Sequence, residues 1–479
     1  MALGTTEASR SRLMKNPKPY KVDSSGELST KASIRSYKRP FARVQDRRTK
    51  HQPASAAMAP KAGEHFLAGR HIIVAGGGIA GTALVSALIQ QWDSSQQQRP
   101  EITVFERAPS LTTYLAQDPY TLNLNGDNRD EGLVALQHLG LLESIGAKST
   151  LNSGAIRVWS DKWKELASLH PQAHPDLPAA TMRITRQNLK RILIESVEKK
   201  TKGVNWRWAL TVTSAERLSN GQIRVTIVSD VEEEDNISTS TQDCDLLIAA
   251  DGVNSRIRAS LRPHDMKLEY TGATQIGGIS YLPGDGLPAP IREDYGLQMS
   301  SGEGVCCIYT PFDDNTIGWA LSTMGPERKA ETDFTAEEFV ALKNEALKTA
   351  TMFQEPFRSV VEATDPATAF VRPAMEKQAF QHDARTRGVV FIGDANHVLS
   401  PYEIVGANLA LNDGWDLAEQ ICKNASIEAA VAAYDKLGIA RFEKPSKFSH
   451  ERIRFGHSTG MLWKMYKYGM AAQRAMSKH

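Results

Sequence analysis

The stretch His71-Ile72-Ile73-Val74-Ala75-Gly76-Gly77-Gly78-Ile79-Ala80-Gly81 decides the fold. A short β-branched run enters a glycine turn, and an apolar helical pattern opens beyond it through Leu84, Val85, Leu88 and Ile89. Buried strand, tight turn and helix in that order form the context in which a glycine fingerprint binds a dinucleotide. Gly76 permits the turn, Gly78 lets backbone approach a pyrophosphate, and Gly81 lets the helix pack close to the strand. The helix N-terminus then offers unpaired N–H groups to the phosphates. Taken by itself, a glycine triplet also serves a plain strand–helix turn.

The second half of the unit follows at the spacing the fingerprint requires. Ile102-Thr103-Val104-Phe105-Glu106-Arg107 is a short apolar strand ending in an acid about 25 residues past Gly81. A carboxylate at such a tip accepts the ribose hydroxyls of a dinucleotide; a solvated strand end is the plainer alternative. With the glycine turn in front, the tip Glu106-Arg107 is read as part of a cofactor site for an unphosphorylated adenosine ribose, as in FAD or NAD.

The chain has 479 residues, enough for two domains with sizeable cores. Its 41% hydrophobic and 23% charged residues describe an ordinary globular protein. A formal charge of +2 hides an asymmetry: the first sixty residues hold 13 Lys and Arg against 4 acids, leaving the remainder at about −7. That balance argues against nucleic acid as a partner of the folded part. Cys244, Cys306, Cys307 and Cys422 fit no disulfide or zinc spacing and point to a reducing compartment. No apolar run reaches membrane-span length and no signal-peptide core is present. The expected setting is cytoplasmic, with organelle targeting by the Arg- and Ser-rich N-terminus left open.

Residues 1–65 read as a disordered basic extension. Beyond them the reading is α/β: a Rossmann-like cofactor domain assembled from 68–150, 180–262 and 385–424, interleaved with a β-sheet substrate domain from 151–179 and 263–384, and C-terminal helices over 425–479. Val204 to Thr213 reads as one strand, and Ser219-Asn220-Gly221 as the turn before the next. Asn236-Ile237-Ser238 matches a glycosylation sequon, which carries little weight without a secretion signal. Leu246-Leu247-Ile248-Ala249-Ala250-Asp251-Gly252 and Gly388-Val389-Val390-Phe391-Ile392-Gly393-Asp394 are two more buried strands ending in acids. In doubly wound sheets, ligands bind outside the carboxyl ends of such strands. No second glycine fingerprint occurs.

Three ordered motifs carry a resemblance: the glycine turn, Asp245-Leu246-Leu247-Ile248-Ala249-Ala250-Asp251-Gly252-Val253-Asn254-Ser255, and Gly393-Asp394-Ala395-Asn396-His397 continuing to Pro401 and Gly406-Ala407-Asn408. Over residues 70 to 445 the chain resembles the FAD-dependent aromatic hydroxylases, single-component flavoprotein monooxygenases of the para-hydroxybenzoate-hydroxylase fold. Thr121-Leu122-Asn123-Leu124 is similar to their tetracycline-modifying branch. The resemblance implies FAD as cofactor and NADPH as a transient one. It implies O2 and a small organic molecule as substrates, and oxygen delivery to an aromatic ring or alkene through a flavin C4a-hydroperoxide. An FAD oxidase or dehydrogenase, or a flavin-binding protein without turnover, are the alternatives.

Carried over residue by residue, Glu106 matches the ribose-binding acid, Arg186 an arginine at the pyrophosphate, and Asp394 the acid that accepts from the ribityl chain. Gly406, Ala407 and Asn408 stand where a helix N-terminus faces the flavin pyrimidine. Asp251 either ties the FAD region to the sheet or caps the following helix. Asn123 stands where the tetracycline-modifying branch has an acid. His397 matches a loop-positioning residue, and no catalytic acid or base is assigned. Ile404 replaces a glycine of the family's flavin loop. Trp206-Arg207-Trp208, similar to a halogenase motif, lacks the residues that follow it there and reads as sheet packing.

Overall fold

A computed structural model describes residues 64–476 except 96, 117–119, 129, 150–154, 230–237, 293–294 and 403–404. The readings of residues 1–63, of Asn236-Ile237 and of Ile404 lie outside the described residues. At the edge of the expected disordered extension, His65 is ordered: its backbone N–H donates to Gln97 and its Nε2 lies 2.9 Å from the Ile421 carbonyl.

The fingerprint strand His71–Ala75 sits at the centre of a five-stranded parallel sheet in the order Val389–Phe391, Leu246–Ala249, His71–Ala75, Glu101–Glu106, Val204–Trp208. Apart from the edge strand Val204–Trp208, where exposed Asn205 and Arg207 alternate with the rest, its strands read as apolar runs because both faces are covered. Ile72, Val74, Leu246 and Ile248 pack on the helices Ile79–Gln91, Arg186–Lys200 and Gly406–Lys423. Ile73, Ala75, Leu247 and Ala249 pack on a three-stranded antiparallel sheet formed by Leu210–Arg217, Ile223–Ser229 and Thr239–Cys244. In register, Ala75 pairs with Ala249 and Phe105, and Ala249 with Phe391. The carboxyl ends therefore align, and the glycine turn, Glu106, Asp251 and Asp394 emerge along one edge.

The run Val204 to Thr213 is two strands, not one. Ala209 adopts φ 59° and its N–H donates to the Ala108 carbonyl at 2.9 Å, so the chain turns there and leaves the parallel sheet for the antiparallel one. Trp206 and Trp208 stay on the edge strand, their rings stacked at 5.5 Å, which is the packing role expected of them.

Thr121–Asn125 and Thr181–Thr185 form an antiparallel pair, and a seven-stranded sheet carries the remaining strands, in the order Phe370–Glu376, Glu269–Tyr281, Thr316–Met324, Val305–Pro311, Tyr295–Met299, Ile156–Trp159, Glu165–Leu169. One face is closed by the helices Ala336–Thr349 and Phe357–Glu362, where Phe339, Leu342 and Phe357 bury Ile276, Cys307, Tyr309, Ile317, Trp319 and Leu321. Thr335 and Glu338 start the first of these helices with reciprocal capping bonds. Two C-terminal helices, Ile427–Gly456 and Gly460–Met476, follow.

The cysteines sit in apolar surroundings, and burial pushes the thiols of Cys244 and Cys306 up to about 12 and that of Cys422 up to about 11. All four are expected to resist a thiol reagent in the native protein at pH 8 and to react on denaturation. These thiols stay protonated in the fold while unfolded ones ionise near 8.5, so stability falls as pH rises from there toward the folded values. Rapid stoichiometric labelling of native protein would contradict this.

Candidate cofactor and substrate site

The glycines of the turn are fixed by what surrounds them. Gly76 has φ 105°, and a Cβ there would stand 2.3 Å from the Ala250 carbonyl oxygen. A Cβ on Gly81 would stand 2.1 Å from the Gly76 carbonyl oxygen, so helix and strand touch at this point. Gly78 differs: its φ is −66° and a Cβ would meet nothing within 4 Å. The same openness holds at Gly406, the first residue of Gly406–Lys423. Neither helix start has a side-chain cap or an acid in its first turn. Two positive dipole ends thus have room beside them for a ligand, the first with the Glu106 carboxylate already on its Gly77 N–H.

Gly393 joins these helix starts, since a Cβ there would lie 3.0 Å from the Ala80 Cβ and 3.7 Å from the Ala410 Cβ. Asp394 follows it. This residue is solvent-exposed, yet burial raises its carboxyl above the usual carboxylate range, with His397 and Arg186 pulling down and Asp413 adding to the rise. Both hold because the group lies on the floor of a cleft, open to water but walled by protein. Arg186 reaches the same cleft from the start of its helix, with Nη1 donating to the Tyr120 hydroxyl at 2.7 Å.

Beneath Asp394 lies a buried network. Asp413 accepts from the Gly393 N–H at 2.8 Å, sits 2.8 Å from His397 Nε2, and pairs with Arg441 at 3.2 Å. Burial alone would raise the Asp413 carboxyl, but His397, Arg441 and the Gly393 N–H outweigh it and hold it below its ordinary value. Arg258, fully buried, donates from Nη1 to the carbonyls of Ala395, at 3.1 Å, and Asn396. The Asp394 loop is held from both sides.

The sequence profile of the FAD binding domain family matches residues 128–441. Monooxygenase cfoF of Aspergillus candidus is 36% identical over 399 residues, covering 83% of this chain and 93% of that protein. The chain belongs to the flavoprotein monooxygenases. Among solved structures, Klebsiella pneumoniae HpxO complexed with FAD and uric acid shares the fold with a TM-score of 0.66 at 18% identity, covering 86% of this chain and 96% of that one. Tetracycline destructase Tet(51) superposes with a TM-score of 0.57 at 16% identity, covering 86% and 96%. The resemblance and the α/β fold class expected from the motifs are both found, and the chain is an FAD-dependent enzyme.

The residues present fit the cofactor of a flavoprotein monooxygenase. Gly78 and Gly406 leave room where a side chain would intrude, and Asp251 Oδ1 is buried without a hydrogen-bond partner in the structure. Asp251 Oδ2 meanwhile accepts from the Ile257 N–H at 3.3 Å, so the capping role is present. Burial raises the Asp251 carboxyl against the lowering effect of Ser255 and nearby N–H groups. The other site residues are engaged in building the cleft. Glu106 accepts from the N–H of Gly77 at 2.9 Å and of Ala108 at 3.0 Å, bracing the glycine turn from the second strand. Arg107 points outward and is exposed. Asn123 accepts from Arg183 Nε at 3.1 Å, and its carbonyl accepts from Asn408. Asn408 also accepts from the N–H groups of Asn125 and Gly132, so its side chain locks the helix start to the Thr121–Asn125 strand. Ala407, in that first turn, is half-buried.

Arg183, Arg258, Lys377 and Asp413 are functional neighbours that sequence reasoning did not single out. Arg183 donates to the Pro311 carbonyl at 3.2 Å and so joins the cofactor side to the seven-stranded sheet. Lys377, nearly buried, has its ammonium pushed down by burial and by Arg258, while Asp251 and Asp394 act the other way.

The second face of the seven-stranded sheet, opposite Ala336–Thr349 and Phe357–Glu362, is a candidate substrate wall; Trp463 and Met470 of the last helix cover it at Val158, Met299 and Cys306. Leu297 pairs with Ile308 and Ile308 with Ala320, and all three are half-buried. Beside them Thr310 pairs with Gly318, also half-buried, while Cys306, Ser322 and Gln275 form the buried row on the other side. Tyr402, from the loop after Pro401, lies on Ser322. Away from this face, a cavity of about 330 Å³ runs along Ala440–Glu451 and one of about 80 Å³ lies around Trp92.

Proposed function

We propose that the chain is an NAD(P)H-consuming monooxygenase that hydroxylates or epoxidises a small aromatic, polyketide or similar secondary metabolite. The observation that carries this is the sheet face just described: a half-buried row of Leu297, Ile308 and Ala320, with Thr310 on one side and Ser322 and Gln275 on the other. A mostly apolar wall flanked by a few polar groups suits a ring substrate. When bound, FAD supplies reduction by NAD(P)H and activation of O2. Gly76, Gly78 and Gly81 would take its pyrophosphate, with Arg186 beside it. Asp394 would accept from its ribityl hydroxyls and Glu106 from its adenosine ribose. The dipole of Gly406–Lys423 would hold negative charge on the reduced ring. The apolar wall excludes water from the reacting edge. With one fingerprint in the chain, NAD(P)H is read as a visitor to the same cleft.

The purified protein is expected to release FAD on heating. Under oxygen, a substrate from a panel of small aromatics and polyketides is expected to speed NADPH oxidation and to emerge heavier by one oxygen atom. FMN, or no flavin, would overturn the cofactor assignment. Peroxide formed in step with substrate dehydrogenation, with no oxygenated product, would make the enzyme an oxidase.

A further inference from the structure

The helix Gly460–Met476 is seated by one side. Trp463 and Met470 are buried with Val158, Met299 and Cys306, the Phe455 and Tyr466 rings meet edge to face at 5.0 Å, and Arg474 donates to the Glu165 carbonyl at 2.8 Å. The Glu165 carboxylate is itself paired with Arg157 at 2.8 Å. The far side of the helix is apolar as well. Met461, Met465 and Tyr468 are 74%, 64% and 74% exposed. At 3.6 residues per turn they fall within a sector of about 60°, opposite Trp463 and Met470. Lys464 borders that sector, and Lys467 lies further round on the same side, toward Trp463; both are exposed. From Arg452 to His479 the chain carries six Lys and Arg and no acid.

A helix that is apolar on its outer face buries that face against something. The charge of this segment selects an acidic partner. Flexible thioethers and a phenol, rimmed by lysine ammoniums, match the boundary between headgroups and acyl chains of an anionic membrane. We propose that Gly460–Met476 lies in the plane of an anionic lipid surface, with Met461, Met465 and Tyr468 inserted and Lys464 and Lys467 on lipid phosphates. The attachment lies on the membrane: no helix among the described residues is long and apolar enough to cross one. Face-to-face pairing of two copies would bring like charges together, which disfavours that alternative. The inference is independent of which substrate the enzyme takes.

The test is co-sedimentation of the full flavin-loaded chain with vesicles of phosphatidylcholine alone and of phosphatidylcholine with phosphatidylserine. Binding is expected to the mixed vesicles and to weaken with salt. Lys464→Ala with Lys467→Ala is expected to weaken it roughly thirtyfold, at about a factor of five or more for each lysine at such a surface. Met461→Glu with Met465→Glu is expected to abolish it, while flavin absorbance and thermal unfolding stay as in the parent protein. Absence of binding by the parent protein overturns the proposal. So does undiminished binding by both double variants, which would place the lipid contact on another segment. A dimer in solution that both variants dissolve would assign the face to a second copy and overturn it too.

Discussion

A Gly81→Ala protein is expected to lose flavin and about 3 kcal/mol of stability, the upper end of what overpacking a well-filled site costs. The new methyl would stand 2.1 Å from the Gly76 carbonyl oxygen, and that obstacle is backbone rather than a side chain that can swing away. Either the helix lifts from the strand or the turn opens, and both displace the N–H groups proposed to face the cofactor. Gly78→Ala separates the two consequences. Its Cβ meets no protein atom within 4 Å and its φ of −66° suits alanine, so the apoprotein should keep its stability. Flavin affinity should still fall roughly tenfold or more, the worth of one charge-assisted bond to a phosphate. Thermal unfolding of both apoproteins, beside a flavin titration, decides the matter. A Gly81→Ala protein with parental unfolding temperature and full flavin occupancy would mean that the turn is not the cofactor's cradle.

The second large effect is expected at Asp413. Its carboxylate is shared by the Gly393 N–H, His397 and Arg441, and Asp413→Ala leaves the buried Arg441 with Asp416 as its paired carboxylate and Asp130 and Glu131 further off. Removing one member of a buried charge network costs about 3–5 kcal/mol. The Asp394 loop loses its floor at the same time, so flavin retention should fall with stability. Acid should reproduce the effect. Because the folded carboxyl is held below its ordinary value, its stabilisation is complete above an unfolded value near 3.9 and is lost as pH falls through the lower folded one. Parental protein should thus lose stability below about pH 4 by an amount that the variant does not show. Matching acid profiles in the two proteins would remove Asp413 from this role.

What could be read from the sequence is what depends on neighbours along the chain. The strand–turn–helix at Gly76–Gly81, the strand tip at Glu106 and the strand ends at Asp251 and Asp394 announce themselves by spacing, and all four lie on one sheet edge. The division at Ala209 was not legible, because the carbonyl that fixes its φ belongs to Ala108, about a hundred residues earlier. The same reason hid the cleft's supports. Asn408 spends its side chain on Asn123, Asn125 and Gly132, and Arg258 reaches carbonyls 137 residues away. Glu106 was legible as an acid in the right place, but its bonds to Gly77 and Ala108 show a bracing task that spacing does not encode.

The five strands of the parallel sheet leave the ribosome far apart in time. His71–Ala75 is made early, yet one of its two neighbours, Leu246–Ala249, is separated from it by the whole three-stranded sheet, and the edge strand Val389–Phe391 comes later still. At about 5–20 residues per second, roughly ten to thirty seconds pass before the central strand can meet its second partner. During that interval an Ile- and Val-rich strand has an open edge, the kind of surface that chaperones shield. The cofactor cannot help at that stage, since the helix start at Gly406 and the floor at Asp394 are among the last parts made. Flavin supply should therefore govern how much finished protein survives, and scarcely affect how much nascent chain aggregates.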